Sequence, residues 1–581
     1  MDKWGLNMGN QRGASVARYR DVDEVKVEGA HYTPPILAAF VARQIVSALG
    51  ERDKDAVLSI VDPAVGDGEL VLALLHELRE QGYRHPAVSG FDTSSAALEI
   101  AGKRIRSMFP AIEAELCCRD FLDVVLSDYD TSQMRLFKSG DSKYYDLLIA
   151  NPPYVRTQVL GAETAQNIAR GFGLNGRVDL YHAFLCGVGR ILKPGAIAGI
   201  IVSNRFMTTR SGAAVRSGIL QHFDPLHIWD FGDTRLFSAA VLPAVLLLSR
   251  KAGDHARQEH PLFSSIYSNG SAESHVVCSD PVEAMQESGN VRLISGEHFH
   301  VQHGHLYFGK APGDVWRIET ESGSAWLDRV ATNTWCTFRD IGDIRVGVKT
   351  TADKVFIRKD WHAVLGDEVP ELLMPLITHH VARRFRPLEP AEQRQILYTH
   401  KVVGGRRCSV DLAEYPRSAD YLEKYRATLE ARKYVIEAGR NWYEIWVPQD
   451  PAMWRLPKVA FRDISERPTF WMDLGGSVVN GDCYWLCVTT ACDQDILWLA
   501  LAVANSSFTE AFYDRKFNNK LYAGRRRFMT QYVEQFPVPN PARPEAKQMV
   551  ALAKRIYEIT PSDEGLALEQ ELDTLVWDVF S

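Results

Sequence analysis

The chain has 581 residues, a formal net charge of −7, 46% hydrophobic and 24% charged residues. That length exceeds what one core supports, so two or three domains are expected, with the composition of an ordinary water-soluble protein. No window is long and apolar enough for a membrane span, and the first residues lack the apolar run of a signal peptide, so a cytoplasmic protein is expected.

Nine cysteines include no C-x-x-C pair, and Cys483 and Cys487 have no second pair to complete a zinc site. Reduced, buried thiols are expected. The negative charge does not exclude a polyanionic partner. From Ile556 onward there are seven acids and no Lys or Arg, so the remainder of the chain is neutral and holds local basic clusters.

Residues 1–28 read as a polar extension. Tyr32 and Thr33 then precede Pro34 and Pro35, and Ile36–Leu49 carries an apolar stripe at helical spacing, with Thr33 near the N-cap. Val57–Val61 reads as a buried strand running into Asp62-Pro63-Ala64-Val65-Gly66-Asp67-Gly68 and a helix, Val71–Arg79. Strand, glycine turn and helix make a nucleotide-binding arrangement. This turn carries acids and no P-loop lysine, so it suits a neutral or cationic ligand rather than a polyphosphate.

A second strand, Ala87–Phe91, ends at Asp92, where a carboxylate can hold ribose hydroxyls. A third, Ile112–Cys117, leads to Asp120-Phe121, an acceptor and a ring for a base. The fourth, from Asp146, ends in Asn151-Pro152-Pro153-Tyr154. The prolines stop the strand and stiffen the loop. The Asn151 amide oxygen and the Pro152 carbonyl can both accept from one exocyclic amine, and Tyr154 offers a stacking face.

These motifs, in this order, resemble the class I S-adenosylmethionine-dependent amino-methyltransferases, in particular the gamma class of DNA adenine-N6 methyltransferases. The resemblance covers about residues 29–250. It includes His31–Pro34, Arg177–Phe184, the strand Ala196–Ser203, and Asp233–Ser238 before the strand Val241–Ser249. Val65 stands where the family often has Cys.

The resemblance implies an α/β fold with a Rossmann-like, mostly parallel seven-stranded sheet, followed by an α+β target-recognition domain. It implies S-adenosylmethionine as cofactor, held by Tyr32, Thr33, Asp62, Ala64, Gly66, Gly68, Asp92, Asp120, Phe121 and Asn151. It also implies catalysis at Asn151, Pro152, Pro153 and Tyr154, with Phe237 on the far side of a flipped adenine. Double-stranded DNA is the implied partner, a separate cognate nuclease is possible, and a monomer is expected. Rival readings are a protein-glutamine or RNA methyltransferase and a non-catalytic DNA-recognition subunit.

Residues 256–290 read as a linker. His298, His300, His303 and His305 crowd one stretch without carboxylates at ligand spacing, so a polar strand face is expected and no metal site. From 291 to 545 the segments Asp343–Ile357, Tyr415–Tyr434, Leu456–Ala460 and Asn505–Ser507 resemble the family's recognition domain more loosely. Lys349, Arg383, Arg384 and Arg386 (around Phe385), Arg515, Lys516, Lys520, Arg525, Arg526 and Arg527 interleave with aromatics and suit phosphate or base contact. Residues 546–581 read as a C-terminal helical tail, and the apolar spacing of its acidic part from Ile556 predicts a packing helix.

Overall fold

The computed structural model describes residues 33–130, 145–153, 170–172, 180–209, 211–237, 242–253, 261–270, 274–309, 311–389, 393–488, 495–517 and 525–581. The chain divides into two compact units, Met1–Glu319 and Thr320–Ser581. Among the described residues no helix is long and apolar enough to cross a membrane.

The first unit alternates helix and strand. In chain order these are α1 (Pro35–Ala48), β1 (Val57–Asp62), α2 (Glu69–Glu80), β2 (His85–Asp92), α3 (Ser95–Met108), β3 (Ala114–Cys118), α4 (Phe121–Asp130) and β4 (Tyr145–Ala150). After β4 come α5 (Leu180–Val188), β5 (Leu192–Ser203), α6 (Ala213–His222), β6 (Phe223–Asp230) and β7 (Pro243–Arg250). The sheet order over these strands is β3-β2-β1-β4-β5-β7-β6. β1 to β5 are parallel neighbours, while β7 runs antiparallel to β5 and β6. This is the doubly wound sheet of the class I methyltransferase fold.

The apolar runs of the central strands lack alternation because both faces are covered. Leu147, Ile149 and Val245 pack with Leu37, Val41 and Leu74 on one side. Leu148, Ala150 and Leu246 pack with Phe121, Phe184 and Val215 on the other. The parallel register, with Ile60 beside Leu147 and Ala150 beside Ile200, brings the carboxyl ends of β1, β2, β4 and β5 to one edge.

The sheet does not stop at seven strands. β8 (Leu262–Ser268), β9 (Val276–Cys278), β10 (Gly289–Leu293), β11 (His298–Tyr307) and β12 (Arg317–Glu319) extend it, in the order β6-β8-β11-β10-β9 with β12 on β11. The stretch 256–290 expected as a linker therefore supplies strands, and β8 pairs in parallel with β6 from His227 to Asp230. Its polar residues misled because Ser264 and Ser265 are buried in the sheet and Ser264 is hydrogen-bonded to histidines. The four histidines lie on β11, His298 and His300 on one face and His303 and His305 on the other by strand parity. Among the described residues no cluster of three or more His, Cys, Asp or Glu is placed to hold a metal.

The second unit is α+β. A four-stranded antiparallel sheet runs in the order Asp343–Val346, Cys483–Cys487, Lys458–Arg462, Phe470–Asp473. One face, with Val459, Phe461 and Met472, packs on the helices Asp495–Ala504, Ser507–Phe517, Pro544–Ile559 and Asp563–Phe580. The other, with Ala460, Trp471 and Trp485, packs on Trp361, Trp454 and Val479. The acidic tail is thus an integral layer: Leu572, Val576, Val579 and Phe580 are buried in that helical core. Cys483 and Cys487 are buried and unlinked.

Candidate active site

The turn after β1 is built by short-range hydrogen bonds and two ties to β2. Asp62 Oδ1 accepts from the Ala64 amide at 3.0 Å, which bends the chain past Pro63. The Val65 amide donates to the Phe91 carbonyl at 2.9 Å, and the Gly66 amide donates to Asp92 Oδ2 at 2.8 Å. Gly66 (φ 51°) and Gly68 (φ 84°) occupy the left-handed region that side chains rarely adopt. Gly68 also lies against α3, where a Cβ would stand 3.1 Å from that of Ala101.

The acids of this turn divide into two kinds. Asp67 and Glu69 are neutralised by Arg104, at 3.1 and 2.5 Å, and do not confront a ligand with charge. Asp62 is fully buried, and its Oδ2 has no hydrogen-bond partner among the described residues. Burial, reinforced by the nearby Asp92 charge, pushes its carboxyl up to about 8. A buried carboxylate short of a counter-charge is a seat for an ammonium or another cationic group.

Asp92 is committed on both oxygens, to the Gly66 amide and, at 2.8 Å, to the Ser94 amide. It shapes the turn, and its remaining lone pairs still suit ribose hydroxyls. Asp120 Oδ1 accepts from the Leu122 amide at 2.8 Å, and burial raises its pKa. Phe121, expected to lie on a ligand ring, is instead a core residue. It is 2% exposed, with centroid distances of 5.9 Å to Phe91 and 5.4 Å to Phe184. The face of a helix start after β3 that points into the sheet is buried, a geometry the Asp-Phe dipeptide does not reveal.

At the end of β4, Asn151 is half-buried, Pro152 buried and Pro153 half-buried. Asn151 Nδ2 donates to Thr33 Oγ1 at 3.1 Å. Thr33 lies near the N-cap, as expected from sequence, but does not itself cap the helix. Pro34 holds that position without a side-chain bond, and Thr33 is buried with its hydroxyl on Asn151. Tyr32, Tyr154, Lys520 and the segment Arg177–Asp179 lie outside the described residues.

Two anchoring networks were not foreseen. Asp146, near the start of β4, accepts from the Ser59 hydroxyl at 2.6 Å and from Lys193 at 2.8 Å, joining β1, β4 and β5. Although burial opposes it, those donors hold its carboxyl below the ordinary range. At the end of β6, Asp230 accepts from Tyr267 Oη at 2.6 Å, Asn204 Nδ2 at 2.9 Å and the Gly232 amide at 3.0 Å. Burial lifts Asp230 to about 6. Asp233 Oδ1 accepts from the Ser268 amide at 2.8 Å, so β8 clamps the turn that leads to Phe237. Phe237 itself is 5% exposed within the apolar core and presents no open face to a base, contrary to expectation. Its sequence position matches a motif, but an aromatic after a buried turn is drawn into the nearest apolar cluster.

The basic clusters read from sequence are largely engaged inside the second unit. Arg526, expected on DNA, is 6% exposed and bound by Asp514 through two bonds of 2.7 Å and by Glu510 at 2.9 Å. Arg527 is forked on Asp463 at 3.1 and 3.0 Å. Arg384 pairs with Glu569 at 3.2 Å and caps the Asn505 carbonyl, Arg386 pairs with Glu389 at 2.5 Å, and Arg383 donates to the Arg386 and Pro387 carbonyls. Arg515 lies over Trp326, and Lys516 over Phe512. Lys349 and Arg525 remain exposed. Interleaved acids distant in sequence account for the difference: Asp463 is 64 residues from Arg527, and a linear reading cannot pair them.

The Eco57I restriction-modification methylase family matches residues 91–237. The chain is 38% identical to the Type II methyltransferase M.BanIII of Aneurinibacillus aneurinilyticus, over 95% of this chain and 96% of that protein. It is 26% identical to the Type II methyltransferase M.PaeR7I of Pseudomonas aeruginosa, over 83% and 80%. Among solved structures, the Type IIL restriction-modification enzyme MmeI, determined in complex with DNA, superposes with a TM-score of 0.62 at 13% identity, over 96% of this chain and 77% of MmeI.

Proposed function

This chain belongs to the Type II restriction-modification methyltransferases, and from that premise we propose that it methylates N6 of an adenine in a specific duplex DNA sequence, with S-adenosylmethionine as donor. The observation that carries the reading is the placement of a rigid amide at the carboxyl end of β4 on the same sheet edge as the Asp62–Asp92 turn.

The residues present fit the cofactor. Its amino-acid part carries an ammonium, and the buried Oδ2 of Asp62 lacks a counter-charge. Asp92 offers lone pairs for ribose hydroxyls, and Asp120 offers an acceptor for an adenine amino group. When bound, S-adenosylmethionine supplies an electrophilic methyl on a positively charged sulfur.

The N6 lone pair of adenine is delocalised into the ring and is a weak nucleophile. Asn151 Oδ1 and the Pro152 carbonyl would accept its two hydrogens and stabilise the charge that develops on nitrogen. Thr33 holds the other end of the Asn151 amide, so the acceptor is aimed before the base arrives. The target must leave the duplex, at a cost of a few kcal/mol. Tyr154, by the motif it completes, would offset part of that by stacking. Such methylation would mark DNA against a separate cognate nuclease.

The test is modified-base sequencing of DNA from cells expressing the chain. N6-methyladenine at one sequence, absent with Asn151→Ala, is the expected result. Methyl groups on cytosine N4 instead, or on no base, would overturn the assignment.

A further inference from the structure

The second unit contains a cleft of about 320 Å³ that lies apart from the basic clusters read from sequence and takes Asp353, Lys354 and Ile357 from the segment Asp343–Ile357. It is lined by Lys354, Thr378, His379, Arg394, Asn480 and Asp482, among others. These residues come from four separated stretches of chain.

Three features set it apart from the basic clusters described above. First, its long cations are uncommitted. The side chains of Lys354 and Arg394 are exposed and make no ion pair or hydrogen bond among the described residues, whereas Arg384, Arg386, Arg526 and Arg527 are held by acids. Secondly, it contains an acceptor without a donor. Asp482 uses Oδ2 to hold the His379 amide at 3.3 Å and the His379 ring nitrogen, while its Oδ1 is buried with no hydrogen-bond partner. Thirdly, Asn480 is fixed through its backbone, its amide donating to the Ile377 carbonyl at 2.8 Å and its carbonyl accepting from Cys483 at 2.9 Å, which leaves the side-chain amide for a ligand.

Phosphate alone would not favour this set, because Asp353 and Asp482 stand among the cations. Base edges in a DNA major groove present donors and acceptors together. Arg and Lys suit guanine O6 and N7, Asn suits adenine, and a carboxylate accepts from an amino group.

We propose that this cleft reads the edges of neighbouring base pairs of duplex DNA, with Arg394 and Lys354 as donors to guanine, Asn480 as a bidentate partner for adenine, and Asp482 Oδ1 as the acceptor for a cytosine or adenine amino group. The inference rests on the reading of the chain as one that acts on DNA. It concerns sequence choice and not methyl transfer.

The test is selection by the full-length chain of bound duplexes from a randomised DNA pool, followed by sequencing, for the wild type, Arg394→Ala, Asn480→Ala and Asp482→Asn. The expected result is one enriched sequence for the wild type, with each variant losing preference at one position by about 10- to 100-fold and keeping the others. Arg394 is on the surface, so its variant separates readout from folding, and the thermal midpoint checks Asp482→Asn. Binding is scored without turnover, so this result stands apart from whether adenine N6 is methylated. Equal weakening on all duplexes would assign the residues to phosphate and overturn the proposal. An unchanged enriched sequence, or a wild-type chain that enriches none, would overturn it as well.

Discussion

Asn151 Nδ2 donates to Thr33 Oγ1 at 3.1 Å, joining the loop after β4 to the residue two positions before α1. The bond fixes which end of the amide points away from Thr33. The Thr33 hydroxyl is therefore a positioning group for the proposed acceptor, and it sits in the part of the chain that sequence alone assigned to helix capping.

Removing the acceptor and removing its support are expected to differ in size. Asn151→Ala should lower methyl transfer by about 10³-fold while DNA binding is retained. Thr33→Val should lower the rate by about 10²-fold through misplacement of the amide, and Thr33→Ser should restore most of it. Single-turnover methylation together with equilibrium DNA binding separates the two effects. A Thr33→Val enzyme at full rate would remove the positioning role.

Asp62 predicts a pH dependence with a definite sign. Its carboxyl titrates near 8 in the folded chain against an ordinary value of 3.8. The folded state therefore keeps a proton that the unfolded state has released above about pH 4. The associated stability is present at low pH and is lost as pH rises through about 8. The thermal midpoint of Asp62→Asn should gain on that of the wild type as pH rises from 5 to 8.5 in the absence of cofactor.

A cation seated on Asp62 favours its charged form. Cofactor binding at pH 7 should then release up to about one proton, read by calorimetry in buffers of different ionisation enthalpy. Asp62→Asn should bind the cofactor more weakly and release none. Equal proton release in the variant would rule Asp62 out as the seat.

The β8 clamp predicts coupling between two buried groups. Tyr267→Phe strips Asp230 of its 2.6 Å donor and should cost about 1–3 kcal/mol, a drop of several degrees in the first unit's melting. Asp230→Asn in the same chain should recover part of the loss, because a neutral amide tolerates the missing hydroxyl. Strictly additive losses in a double-mutant cycle would argue against the pair acting together.

Neighbouring arginines should behave oppositely. Arg526→Ala leaves Asp514 and Glu510 without their buried partner and should destabilise the second unit by about 3–5 kcal/mol. Arg525→Ala, on the surface, should leave melting unchanged and reduce the salt slope of DNA binding by about one. Calorimetry and a salt titration of binding read both.

Much of the first unit was legible because its signals are local. Uninterrupted apolar strands, prolines after Asn151 and glycines at 66 and 68 each state a backbone requirement within a few residues. Phe121 and Phe237 misled because the motif names a residue type, while its burial depends on which cluster lies beneath it. β8 was hidden for a related reason: the hydroxyl of its Ser264 is satisfied by histidines on both neighbouring strands, and no period-two apolar pattern marks it.

The amino-acid sequence by itself determined the family, the strands β1 to β4 of the first unit, and the turns at Asp62–Gly68 and Asn151–Pro153, since each is written in contiguous motifs. Only the tertiary structure decided which charges are available. Arg104 cancels Asp67 and Glu69, Asp514 and Asp463 occupy Arg526 and Arg527, while Asp62 and Arg394 keep unmet capacity. Whether a charge is neutralised depends on partners within about 4 Å in space, and those partners stand from 12 to 64 residues away along the chain.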